Sequence, residues 1–132
     1  MAVLGVGGVF FKSTDSEATK AWYRDVLGMT PNDYGGFDFL HSASAERFGD
    51  GARSIYAMFG EDSDYFAPSD GAVMINLMVD DLDAMLERIK AAGVALEGEP
   101  QSFDYGRFAW VMNPDGVKIE LWEPVKTSPP PS

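Results

Sequence analysis

The chain has 132 residues and a formal net charge of -11, so it is long enough to bury one core but lacks a basic surface for nucleic acid or anionic membranes. It contains no cysteine, which excludes disulfides, thiolate catalysis and cysteine-ligated zinc. No apolar run approaches the roughly 18 residues that a membrane-spanning helix needs. We therefore expect a cytoplasmic protein with neither a nucleic-acid nor a membrane partner.

The first third of the chain predicts a strand followed by a helix. Residues 4–12 are glycine-rich and β-prone, which favours a strand that a ligand or another backbone can approach closely. Asp15 or Ser16 then caps a helix that runs to about Leu27, with apolar residues at three- and four-residue spacings. Gly28 suits the left-handed position that ends such a helix.

Two short β-type runs and an acidic loop come next. Residues 37–40 and 54–59 predict strands, and the stretch between them is polar. Residues 60–71 are acidic and rich in turn formers, so they predict a loop. Because this loop carries Tyr65 and Phe66, it can serve as a lid or as a dimer contact.

The second half of the chain repeats the order of the first. Residues 73–79 predict a strand, Asp80 or Asp81 caps a second amphipathic helix, and Gly93 ends it. The segments 15–28 and 80–93 have the same spacing of cap, apolar stripe and terminal glycine. We interpret this as an internal repeat.

A hairpin completes the second unit, with strands at 108–112 and 117–123 around an Asn-Pro-Asp-Gly turn. If Met112 pairs with Lys118, then Trp110 pairs with Glu120 and Phe108 with Trp122, and all six share one face. The opposite face is aliphatic and is expected to pack on a helix. It consists of Ala109, Val111, Ile119 and Leu121.

Three segments resemble signatures of the glyoxalase/bleomycin-resistance/extradiol-dioxygenase superfamily, which is also called the vicinal oxygen chelate superfamily. They are Ala21–Met29, Val79–Asp83 and Asn113–Leu121. The resemblance implies an α+β fold of two βαβββ modules, with sheets curled around a central cup and helices outside. Together with the internal repeat, we predict one domain over residues 1–125, made of repeats at about 4–66 and 71–125. The proline-rich residues 126–132 predict a disordered tail.

In the metal enzymes of this superfamily, four side chains facing the cup hold a divalent ion. At the corresponding positions this chain has Gly8, Met74, Tyr56 or Met58, and Glu120. Only Glu120 matches, and one carboxylate cannot hold a catalytic ion. We therefore predict no metal and no other cofactor.

The remaining cup residues are mostly aromatic or apolar, as is typical of small-molecule sites. We predict that the protein binds a small, largely apolar or aromatic ligand, or one with a cationic group, near Glu120. Glu120 is either a polar anchor in the cup or the structural partner of Lys118, Lys12 or Arg107. The predicted ligand-binding residues are Phe10, Tyr56, Met74, Asn76, Met78, Arg107, Phe108, Trp110 and Trp122.

Two other functions fit the same sequence. The protein could be a lyase or isomerase similar to lactoylglutathione lyase, with Glu120 as the catalytic general base. It could also be a structural module whose cup is filled by its own side chains. The resemblance further implies a homodimer, because members of the superfamily commonly dimerise.

Overall fold

A computed structural model describes residues 1–125, which form three α-helices and one four-stranded sheet. The predicted disordered tail at 126–132 lies outside the described residues. A single 3-10 turn, Gly49–Gly51, follows the second helix. The helices are α1 (Ser16–Leu27), α2 (His41–Phe48) and α3 (Leu82–Ala91), and the strands are β1 (Met74–Met78), β2 (Gln101–Phe103), β3 (Gly106–Met112) and β4 (Lys118–Pro124).

The two capped helices form where the sequence predicts them. The Asp15 carboxylate accepts a hydrogen bond from the Ala18 N–H at the start of α1, at 3.1 Å. Asp81 caps α3 in the same way, accepting from the Ala84 N–H at 3.0 Å. Each bond satisfies one of the backbone donors that a helix N-terminus leaves unpaired. Gly28 adopts the predicted left-handed conformation, with φ of 72°.

The sheet is curled and unclosed, with the strand order β1-β4-β3-β2. β4 lies in its centre, parallel to β1 and antiparallel to β3. The predicted hairpin register is confirmed, since Trp110 lies opposite Glu120 and Phe108 opposite Trp122. The parallel pairing adds Asn76 opposite Glu120 on the other side of β4.

The aliphatic face of the hairpin forms the core, as predicted. Val111, Ile119 and Leu121 are fully buried, and they pack against the apolar stripes of α1 and α3. Burial of each such side chain contributes about 1.5–3 kcal/mol relative to leaving it in water. The helix residues in this core are Tyr23, Val26, Leu27, Leu82 and Ile89.

The strands predicted for the first half of the chain are absent. Residues 4–12, 37–40 and 54–59, all within the described part of the chain, form no strand. Their large apolar side chains are mostly exposed, with Phe10 at 94% and Tyr56 at 88%. A strand needs a neighbour for its backbone hydrogen bonds, and these segments pair with no strand among residues 1–125. The closed cup of two modules is therefore not confirmed.

Two elements escaped prediction. α2 lies in the polar stretch between two predicted strands, where its start carries no side-chain cap and Phe48 is its only buried residue. Neither a cap nor an apolar stripe marks such a helix in sequence. β2 has only three residues, all exposed, which is too short for an alternating pattern to reveal a strand.

The hairpin turn is built around the buried side chain of Asn113. Its Oδ1 accepts hydrogen bonds from the N–H groups of Asp115 and Val117, both at 2.9 Å. Its Nδ2 donates to the Tyr23 hydroxyl at 3.0 Å, which ties the turn to α1. One amide thus shapes the turn and anchors it to the helix layer.

Asp115 makes a second link between this turn and the start of α1. Its Oδ1 accepts from the N–H and the hydroxyl of Thr14, at 3.0 and 3.1 Å. Its Oδ2 accepts from the Thr19 hydroxyl at 3.1 Å. Hydrogen bonds from Ser13, from Thr14 and from Thr19 hold the pKa of Asp115 below its usual value.

No helix within residues 1–125 is long and apolar enough to cross a membrane. The cytoplasmic location stays a prediction.

We predict that Asp115→Asn makes the protein less sensitive to acid. A carboxylate with a depressed folded pKa contributes stability above its unfolded pKa, about 3.9, and that contribution is lost as the pH falls through the folded value. At pH 7 the variant should have a lower free energy of unfolding than the unmodified protein, and at pH 3 this difference should be smaller. Urea denaturation between pH 3 and pH 7 measures both, with Asp62→Asn in the exposed loop as control. An unchanged pH slope in Asp115→Asn would contradict the prediction.

Candidate functional site

The sheet face opposite the core carries a mixed set of aromatic, polar and thioether side chains. The registers of β3 with β4 and of β4 with β1 bring them together, because alternate residues of a strand point to the same side. We call this surface the Glu120 face. Its residues are Met74, Asn76, Met78, Phe108, Trp110, Met112, Lys118, Glu120 and Trp122.

Glu120 lies at the centre of this face and is 8% exposed. Its Oε1 accepts a hydrogen bond from Asn76 Nδ2 at 2.8 Å. Its Oε2 accepts from Trp110 Nε1 at 2.8 Å and from the Tyr65 hydroxyl at 2.5 Å. The carboxylate is therefore stabilised by three neutral donors, as a buried charge must be when no cation pairs with it.

Two of the expected structural partners of Glu120, Lys118 and Arg107, make other contacts. Lys118 Nζ donates to the backbone oxygen of Tyr65 at 2.7 Å, and it lies over the Tyr65 and Trp110 rings at 5.1 and 5.6 Å from their centroids. Arg107 forms an ion pair with Asp83 at 2.8 Å. Within residues 1–125, no ion pair reaches Glu120.

Three rings form a row beside the carboxylate. Phe108 lies between the two tryptophans, with ring centroids 6.4 Å from Trp110 and 6.3 Å from Trp122 and ring planes within 14° of parallel. Phe103 and Tyr105 meet the row with their edges. Trp122 Nε1 donates to the Tyr105 backbone oxygen at 3.2 Å, which fixes the outer end of the row. Phe108 and Trp122 are buried and Trp110 is half-buried, so the row presents apolar surface mainly at Trp110, the end that carries the hydrogen bond to Glu120.

Tyr65 reaches the face from the acidic loop. Its ring stands edge-on to Trp110, with centroids 6.3 Å apart, and it stacks on Phe59 at 5.5 Å. Burial, the hydrogen bond to Glu120 and the charge of Glu120 all raise the pKa of Tyr65. Tyr65 therefore remains a protonated phenol and keeps donating at neutral pH.

The structure brings six of the predicted ligand-binding residues onto this face, namely Met74, Asn76, Met78, Phe108, Trp110 and Trp122. It does not bring Arg107 there, because the alternation of β3 directs that side chain to the helix side, toward Asp83. Phe10 and Tyr56 lie in exposed segments outside the sheet. The sequence predicts Tyr65 only as part of a lid or a dimer contact. Loop residues have no periodicity, so their sequence does not indicate which residues their side chains contact.

The residues around Glu120 do not fit a divalent metal ion. Among residues 1–125, no group of three histidine, cysteine, aspartate or glutamate side chains could hold one. The oxygens of Glu120 already accept N–H and O–H donors, which an ion would have to displace. Met74, a thioether, is a poor ligand for a hard ion.

Two surface grooves border α2, and Met78 is the one residue of the Glu120 face that lines either of them. One, of about 390 Å³, lies between α2, the end of α1 and β1. The other, of about 280 Å³, lies where α2 meets β3 and the end of β4. The Glu120 face itself stays open on the side of Asn76 and Met78, which are both exposed.

The family model of the Glyoxalase/Bleomycin resistance protein/Dioxygenase superfamily matches residues 9–121. The chain belongs to this superfamily. The match extends over parts of both halves of the chain, and it includes residues 9–12, 37–40 and 54–59, which form no strand.

Several solved structures share the fold of this chain at low sequence identity. A glyoxylase/bleomycin resistance protein/dioxygenase domain from Frankia sp. EAN1pec has a TM-score of 0.60 and 18% identity, with 96% of each chain covered. TnmS3, an antibiotic binding protein from Streptomyces sp. CB03234, has a TM-score of 0.53 and 22% identity, over 94% of this chain and 98% of that one. A superfamily member from Sphaerobacter thermophilus DSM 20745 has a TM-score of 0.50 and 20% identity, over 93% and 98%. No curated protein matches the chain.

We predict that Trp110 and Glu120 are energetically coupled. A hydrogen bond to a charged group contributes about 1.5–3 kcal/mol, so a double-mutant cycle of Trp110→Phe and Glu120→Gln should give a coupling energy of about 1–2 kcal/mol. Chemical denaturation of the four proteins measures it. The matched cycle pairs Trp122→Phe with Glu120→Gln, and it should stay within about 0.5 kcal/mol because the Trp122 indole donates to a backbone carbonyl. Equal couplings in the two cycles would contradict the prediction.

Proposed function

We propose that this protein binds a small, largely aromatic molecule on the Glu120 face and does so without a catalytic metal. The observation that carries the proposal is the row of three near-parallel rings that ends at a buried carboxylate. A flat ligand gains affinity from stacking against the half-buried ring of Trp110, behind which Phe108 and Trp122 are packed, and the carboxylate fixes its orientation by one hydrogen bond. The predicted contacts on this face are Met74, Asn76, Met78, Phe108, Trp110 and Trp122.

The comparisons support binding in a general way. The chain shares its fold with TnmS3, whose function is antibiotic binding. The site supports binding over metal-dependent chemistry, because the donors around Glu120 are a phenol, an indole and an amide rather than further metal ligands.

The proposal predicts that planar aromatic compounds perturb one side of the sheet. The chain has three tryptophans, so a ¹⁵N-labelled sample shows three indole N–H signals, assigned through Trp→Phe variants. At least one of naphthalene, 2-naphthol and 2-naphthylmethylammonium should shift the Trp110 and Trp122 signals and leave that of Trp22, which lies on α1, in place. Glu120→Gln should remain folded and bind 2-naphthol about tenfold to a hundredfold more weakly, the value of one charged hydrogen bond.

Glu87→Gln, on the exposed side of α3, is the control and should bind as the unmodified protein does. If none of the three compounds shifts either signal, the face is filled by the protein's own side chains and the binding function is wrong. Elemental analysis that finds one tightly held nickel, zinc, iron or manganese ion per chain would overturn the metal-free part of the proposal.

We also propose that residues 1–125 act as one domain that works as a homodimer. Many of the exposed apolar side chains lie in the segments 4–12 and 54–59, which form no strand. Among them are Leu4, Phe10, Ile55 and Met58. The outer edge of β1 has no partner strand within residues 1–125. Large exposed apolar side chains and an open strand edge are each typical of an interaction surface. A second copy of the chain supplies matching segments and a matching edge, as two-fold symmetry requires.

The dimer proposal predicts that Phe10→Asp shifts the protein toward the monomer. A charge at this position would have to be buried without a partner in the dimer, which costs several kcal/mol. Sedimentation equilibrium over a range of concentrations should show twice the chain mass for the unmodified protein and a weaker association for the variant. Tyr34→Asp, at an equally exposed position between α1 and α2, should leave the association unchanged. A monomer at all concentrations would contradict the proposal.

A further inference from the structure

The hydroxyl of Tyr65 occupies the position on the Glu120 face where a ligand would be oriented. It donates to Glu120 Oε2, the oxygen that also accepts from Trp110 at the end of the ring row. The Tyr65 ring lies against Trp110 on one side and Phe59 on another. A phenol is thus held by one acidic acceptor and by aromatic neighbours, which is how a protein would bind a free phenolic compound.

Tyr65 is a peripheral side chain, although it makes this contact. It is 38% exposed, and it belongs to a loop whose residues are almost all exposed. The loop keeps its shape through its own turns, with hydrogen bonds from the N–H of Ser63 to Gly60, of Ala67 to Asp64 and of Ser69 to Phe66. Because these bonds are internal to the loop, Tyr65 can leave Glu120 without unfolding the loop.

The chemistry of the vacated position selects the ligand. When Tyr65 leaves, Oε2 loses a donor, and a buried carboxylate that loses a donor pays a desolvation penalty. A hydrocarbon cannot replace the lost bond, but an aryl hydroxyl can. A cationic ligand is disfavoured because Lys118 Nζ already lies over the Trp110 ring and repels a second positive charge there.

We propose that Tyr65 is an internal stand-in for the ligand, and that the Glu120 face takes neutral phenolic aromatic compounds whose hydroxyl replaces that of Tyr65 at Glu120 Oε2. The inference rests on the proposed binding function and narrows it to one ligand class. It also makes Tyr65 a competitor, so the affinity of the protein for its ligand is set partly by its own side chain.

The test compares 2-naphthol with 2-methoxynaphthalene, which has the same rings and oxygen but no O–H. Binding is followed by the Trp110 indole signal and by calorimetry. The unmodified protein should bind 2-naphthol about tenfold to a hundredfold more tightly, because only the naphthol replaces the lost donor. This comparison needs no variant, so it does not depend on the folding of a mutant.

Tyr65→Phe then tests the competition. The variant keeps the ring and its stacking but removes the hydroxyl, so 2-naphthol should bind about tenfold or more tightly than it binds the unmodified protein. Tyr34→Phe, an exposed tyrosine away from the face, should not change the affinity. A merely structural role for Tyr65 would leave the affinity unchanged or lower it.

The outcomes separate this inference from the binding function on which it rests. Equal binding of the naphthol and its methyl ether would overturn the phenol preference while leaving aromatic binding in place. An unchanged or weaker affinity in Tyr65→Phe would overturn the stand-in role. If neither compound binds the unmodified protein or Tyr65→Phe, both the inference and the binding function are wrong.

Discussion

The register of the β3–β4 hairpin is the constraint on which the rest of the structure depends. Pairing of Trp110 with Glu120 sends the aliphatic residues of both strands to the helices and the aromatic residues to the other side. A slip of β4 by one residue would turn all its side chains to the opposite face, and it would place the Glu120 carboxylate and the Trp122 indole against the helices. The Asn113 side chain prevents such a slip, because it bonds two turn N–H groups and the Tyr23 hydroxyl together.

The best-predicted parts of the molecule are those where local chemistry and burial agree. α1 and α3 have an aspartate cap and an apolar stripe, and the hairpin has a turn motif between alternating strands, so each is readable from its own residues. The prediction of strands at 4–12 and 54–59 is wrong for the single chain, because a β-prone segment becomes a strand only where a neighbouring strand shares its hydrogen bonds. α2 was missed because it has neither signal.

The candidate site also has one part that the sequence predicts and one part that it does not. The part built on strands followed from alternation, which placed Asn76, Trp110 and Trp122 beside Glu120. The loop part of the site could not be predicted from alternation. The contact of Tyr65 with Glu120 spans 55 positions and depends on the path of a segment without periodicity. Arg107 is a candidate ligand contact by its residue type. Strand alternation, however, directs its side chain to the helix side, where it pairs with Asp83.

The central position of β4 has a consequence for how the protein is made. β4 is the last element of the described chain, yet both β1 and β3 depend on it for their longest pairings. During synthesis on the ribosome, the nascent chain therefore carries β1 and the apolar stripe of α3 without a sheet to cover them until β4 emerges. The two helices of the core can form early, but they dock late, through contacts between residues far apart in sequence. Unpaired apolar segments in such a chain are binding sites for chaperones, and the time spent in that state grows with any delay in translating the last strand.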